Sequence, residues 1–159
     1  MIHFQLRRRG RYVAMLRVAA ALFAVALVPR VGSAQTASVD SSWRAAPTGF
    51  PAGSEMQAFV GNPSAAGFYA VRIRVPDGEL VGPLAFPREV RVVLIRGAFS
   101  LGRGIEPKRR RTSSLDPSER ATSVKAGVVI HGWGGEGAVI QFEGEGPFAP
   151  LPVEPRPSP

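Results

Sequence analysis

Few side chains in this sequence could do chemistry. His131 is the only imidazole beyond residue 34, since the other histidine is His3. An imidazole titrates near neutrality and can serve as acid, base or metal ligand. The 159 residues contain no cysteine, which excludes a thiolate metal site, a cysteine nucleophile, a disulfide framework and lipid attachment through an N-terminal cysteine. Gly-x-Ser-x-Gly is also absent, so no serine nucleophile on an elbow can be argued. The run Gly132-Trp133-Gly134-Gly135-Glu136-Gly137 lacks the Gly-Lys-Ser/Thr ending and the following helix of a phosphate loop. It reads as a tight turn with Trp133 as a packing residue. The densest charge is Lys108-Arg109-Arg110-Arg111, bounded by Pro107 and by Thr112-Ser113-Ser114. These four are candidates to contact an anion or an anionic surface. The alternative is a solvated loop, the usual fate of like-charge runs.

Short strands must position these groups. Phe68–Val75, Val90–Ile95, Ala98–Leu101, Ser123–His131 and Ala138–Phe142 are the strand-like runs. In the first, Val71, Ile73 and Val75 share one face and Arg72 and Arg74 the other, the period of a half-buried strand. Between the runs stand turn compositions: Pro76-Asp77-Gly78, Arg96-Gly97, Gly102-Arg103-Gly104 and the stretch Gly132 to Gly137. No convincing helical stripe appears after residue 34. Strands and turns in this rhythm predict an all-β sandwich or small barrel. Residues 35–54 read as an irregular leader that wraps the domain edge, and 55–148 as the domain. The proline-rich tail, 149–159, is expected to hang free as polyproline II, so both ends are expected to be disordered.

The N-terminus has the order of an export signal. Arg7, Arg8, Arg9, Arg11 and Arg17 precede an apolar run of 11 residues, Val18 to Val28, and the small residues Gly32, Ser33 and Ala34 follow. The run is shorter than the roughly 20 apolar residues of a membrane-spanning helix. Cleavage after Ala34 is expected, which leaves Gln35 first; a start at Met15 would give a more compact signal. The expected location is therefore periplasmic or secreted, without stable membrane insertion. The paired arginines lead into Gly10 and Arg11 rather than apolar residues, which gives a twin-arginine route little support. Formal net charge is +8, but six of the 20 Lys and Arg lie in residues 1–34 with no acid. That leaves 14 against 12 Asp and Glu, near +2. Such a balance argues against nucleic acid as a partner.

The stretch Gly78 to Gly97, GELVGPLAFPREVRVVLIRG, resembles the first motif of the cupin superfamily. Gly61-Asn62-Pro63, FSLGRG from Phe99 to Gly104, and VIQFEGEGPF from Val139 to Phe148 are similar to pieces of one small secreted-type subgroup. Pro83 and Pro87 flank the ligand pair as they do there. The resemblance covers residues 55–150 and implies a cupin-type double-stranded β-helix, a jelly roll in a single domain. The second motif is kept only at Gly127, with Trp133 as a frequent following aromatic. Glu119, Lys125 and Gly134 stand at its first glycine, proline and asparagine positions.

The resemblance carries the family's metal ligands onto Leu84, Phe86, Val90 and Ile130, where His, His, Glu and His would stand. None has a lone pair for a metal ion. No metal and no cofactor are expected, and the four are expected to line an apolar ligand pocket. Glu89 lies one position before Val90 and His131 one position after Ile130, so in a regular strand both turn to the outer face or the rim. A bulge could return them to the interior as an acid/base pair, with Arg91 or Arg74 orienting an anionic substrate. The expected function is a non-catalytic domain that binds a small apolar or anionic ligand, or a protein partner. The rivals are a cupin-type enzyme using Glu89 and His131, with or without metal, and an interaction module using residues 108–111. Pairing through edge strands would allow a homodimer.

Overall fold

The computed structural model describes residues 42–118 and 121–154. The signal segment, its cleavage site, Glu119 and residues 155–159 lie outside the described residues. Among the described residues there are nine strands: β1 (Arg44–Ala45), β2 (Glu55–Val60), β3 (Phe68–Arg74), β4 (Leu80–Ala85), β5 (Val90–Arg103), β6 (Thr112–Ser114), β7 (Thr122–Val124), β8 (Ile130–Glu145) and β9 (Leu151–Pro152). Among the described residues the single helical turn is the 3-10 turn Arg109–Arg111. Among the described residues no helix is long and apolar enough to cross a membrane.

All strand pairs are antiparallel, and β5 and β8 organise the rest. They pair along most of their length, from Val90↔Gly144 to Arg103↔Ile130. The C-terminal half of β8 also pairs with β3, and its N-terminal part with β4. Likewise Val90–Val92 pair with β7, whereas Ser100–Gly102 pair with β6. The sheet therefore curls into two layers. One is β1-β2-β3-β8-β5-β7 and the other β9-β4-β8-β5-β6, with β5 and β8 shared. The bend falls where the β5–β8 register shifts twice, on either side of Arg96. Gly97 sits there at φ 76°, a left-handed conformation that side chains resist.

The core between the layers is drawn from both. Val71, Ile73, Val92, Leu94, Ile140 and Phe142 come from the first layer, and Val81, Leu84, Phe99 and Ile130 from the second. The alternation expected for Phe68–Val75 holds: Val71, Ile73 and Val75 are buried, while Arg74 is exposed and Arg72 half-buried. On the outer face Arg72 donates to Gln141 Oε1 at 2.9 Å and its guanidinium lies 3.5 Å from the Phe59 ring centroid.

Three local expectations are corrected. The run Ser123–His131 is two strands, broken by the turn at Ala126–Gly127, whose amide N–H donates to Phe86 O at 2.8 Å. Residues Gly132 to Gly137 are part of β8 rather than a separate turn. At Gly132 the missing side chain serves packing: a Cβ there would come within 2.5 Å of the Phe99 ring. The tail does not hang free over its described length. Leu151 and Pro152 pair with β4, because that edge strand offers unpaired backbone groups, and Val153 N–H donates to Pro83 O at 2.9 Å.

Candidate functional site

The four positions matched to metal ligands converge in the core. Leu84 is 0% exposed, Phe86 1%, Val90 2% and Ile130 2%. Strand pairing sets Leu84 opposite Ile130, and Val90 opposite Val124. The Phe86 ring packs on Phe142 and Phe148, with centroids 5.5 and 5.9 Å away. Burying each such side chain contributes about 1.5–3 kcal/mol. These residues are packed against one another and against other apolar side chains.

Glu89 and His131 have different surroundings. Glu89 is exposed and accepts a hydrogen bond from the Ser123 hydroxyl, beside the first residues of β5. His131 stands opposite Gly102, near the other end of β5. It does turn away from the Ile130 side of β8, but it is not at a solvent-facing rim: it is 2% exposed. The segment leaving β5 covers it. Its Nδ1 is 2.9 Å from Gly104 O, which can only accept, so Nδ1 donates and Nε2 is left to accept from Lys108 N–H at 3.5 Å. Trp133 packs edge-on to the imidazole at 5.6 Å. The two residues share no partner, and His131 acts here as a loop anchor. Arg74 is engaged with Glu55 at 3.3 Å, and Arg91 with Glu143 at 3.4 Å, both on the outer sheet face.

The basic run divides by neighbour. Lys108 pairs with Glu106, whose carboxyl is held below its usual range by the Lys108 hydrogen bond first and the Lys108 charge second. Arg109 donates to Gly78 O at 2.9 Å, and its guanidinium lies 4.8 Å from the Trp133 ring centroid. Arg110 is exposed. Arg111 lines a cleft.

That cleft, of about 470 Å³, is lined by Leu101, Gly102, Arg103, Arg111, Ser113, Ser114, Leu115 and Thr122. Three rows of side chains lead to it. Phe99, Leu101 and Arg103 alternate along one face of β5, and Arg103 stands opposite Ile130, so this row belongs to the core side. Ser113 stands opposite Leu101 and shares its side with Arg111 and Leu115. Thr122 stands opposite buried Val92 and shares a face with buried Val124. Each row passes from apolar to polar as it reaches solvent. The layers meet here, where Arg103 Nη2 donates to Ser123 O at 3.4 Å. None of Leu84, Phe86, Val90 and Ile130 lines this cleft; they lie in the packed core. Arg103, Ser113 and Thr122 escape sequence reasoning because they sit on three strands. The signal that could have found them is the polar residue at the end of each alternating row.

No protein-family model matches the sequence, and no curated protein sequence matches it. Solved structures do match by fold. The polyketide cyclase RemF from Streptomyces resistomycificus superposes with a TM-score of 0.53 at 19% identity, over 72% of this chain and 79% of that one. A cupin-2 domain protein from Rhodospirillum rubrum gives 0.52 at 11% identity, over 72% and 75%. The DMSP lyase DddQ from Ruegeria pomeroyi gives 0.53 at 15%, over 71% and 61%, so this chain spans less than two thirds of that protein. The fold is a cupin fold. Leu84, Phe86, Val90 and Ile130, the positions that the motif resemblance matches to metal ligands, have no lone pair to offer an ion. Among the described residues no group of three or more His, Asp or Glu is placed to hold an ion.

Proposed function

We propose that this is an exported, non-catalytic cupin that binds a small molecule in the cleft between β5, β6 and β7. The observation that carries the reading is the burial of Leu84, Phe86, Val90 and Ile130, none more than 2% exposed. Four donors replaced by packed apolar side chains make the old centre part of the core. The cleft next to it keeps the size, the apolar floor and the converging polar groups of a ligand site. The separate partners of Glu89 and His131 favour binding over acid/base catalysis. The engagement of Lys108 and Arg109 within the chain disfavours the basic run as a free docking strip. Export is supported by the basic, apolar and small-residue order of residues 1–34.

Elemental analysis tests the reading. Protein produced in medium supplemented with Fe, Mn and Zn is expected to purify with substoichiometric metal and to keep its melting temperature in chelator. One ion per chain, with a melting temperature that drops on chelation, would overturn it. N-terminal sequencing of protein from the exported fraction is expected to begin at Gln35; a retained Met1 or Met15 would overturn the cleavage.

A further inference from the structure

The cleft has a definite chemical character. Its floor is apolar, since half-buried Leu101 and Leu115 pack against the core. Its lining also carries two arginines, Arg103 and Arg111, and the hydroxyl residues Ser113 and Thr122. Among the described residues neither guanidinium has a carboxylate at ion-pair distance. Arg103 spends one long hydrogen bond on Ser123 O, at 3.4 Å. A guanidinium has five N–H donors in a planar fork, so most of its capacity stays free. Glu106 has its close ion pair with Lys108, and the Arg111 charge acts on it only as the weakest of the named influences.

We propose that the cleft takes an organic anion: a carboxylate or phosphate head between Arg103 and Arg111, with a short apolar body on Leu101 and Leu115. This rests on reading the cleft as a ligand site and names the ligand class. A volume of about 470 Å³ suits a small molecule, and planar forks match carboxylate and phosphate oxygens. A bare inorganic ion would leave the leucine floor uncovered, and a neutral molecule would leave two cations facing it without a partner.

The test titrates the purified full chain with benzoate, phenyl phosphate and benzyl alcohol, read by amide chemical shifts and calorimetry. At least one of the two acids is expected to shift the amides of Leu101, Ser113 and Thr122, and to bind about tenfold or more tightly than the alcohol. Arg103→Gln and Arg111→Gln should each weaken the acid about tenfold, whereas Arg110→Gln, outside the lining, should not. The tighter of the two acids identifies the head group. Equal binding of benzyl alcohol, with silent arginine variants, would overturn the anion class while leaving the ligand site standing. No shift at the cleft with any of the three probes would overturn both.

Discussion

The imidazole of His131 occupies the space that a side chain on Gly102 would need. The two residues face each other across β5 and β8, and a Cβ on Gly102 would lie 2.5 Å from His131 Nε2 and 2.9 Å from the methyl of Thr112, its partner on β6. The absence of a side chain on one strand thus creates the seat for the only imidazole beyond residue 34. Gly102→Ala is expected to displace the ring and cost about 1–3 kcal/mol, as overpacking does. Thermal or urea denaturation checks this, and an unchanged midpoint would contradict the packing described.

His131→Ala should act on the loop it anchors. Removing the ring leaves Gly104 O and Lys108 N–H without their partner, at a cost of about 1–3 kcal/mol. Amide exchange at Lys108 and Arg111 should accelerate, while exchange in β3 should change little. A solvent-facing histidine would produce neither effect.

Leu84→Ala and Phe86→Ala separate a filled core from a lined cavity. Packed core positions lose about 2–5 kcal/mol for leucine and about 3–5 kcal/mol for phenylalanine on such truncation. Residues lining an open pocket would lose far less. Denaturation midpoints of the two variants decide between these.

Tyr69 makes stability depend on alkaline pH. Burial pushes its phenol from 10.0 up to about 12. Its folded value is raised, so the unfolded chain releases the proton first. The stabilisation is fully present below pH 10.0 and is lost as pH rises towards about 12. A loss on the order of 2–3 kcal/mol is expected across that window. Urea midpoints measured through it should fall, and Tyr69→Phe should remove that part of the slope.

Much of this architecture was legible wherever one rule acted alone. The alternation of Val71, Ile73 and Val75 with Arg72 and Arg74 was enough to place β3, because a half-buried strand sorts its faces by polarity. The motif resemblance grouped Ile130 with Leu84, Phe86 and Val90 as pocket-lining residues, and all four instead belong to the packed core. Elsewhere two signals competed. β4 was not among the strand-like runs, because Gly82 and Pro83 interrupt its alternation; here they stand in a strand whose register shifts between Val81 and Leu84. Ser123–His131 is apolar enough for one strand, yet Gly127 breaks it at a positive φ of 73°. Gly132 to Gly137 looked like a turn because glycine signals both turns and close packing, and only the position of Phe99 tells which. The cleft was illegible for a different reason. Arg103, Ser113 and Thr122 belong to β5, β6 and β7, and nothing local in a sequence says that three strand ends will meet.

The pairing of Leu151 and Pro152 with β4 has a consequence for how this protein behaves in solution. β4 carries Leu84, and on its outer side Leu84 and Ala85 are met by those two tail residues. A chain ending at Ala149 would leave a raw border of amides and carbonyls, a template for any extended segment that drifts past. In this reading the short proline-bearing tail is a hem, and unstitching it would expose a border prone to clumping.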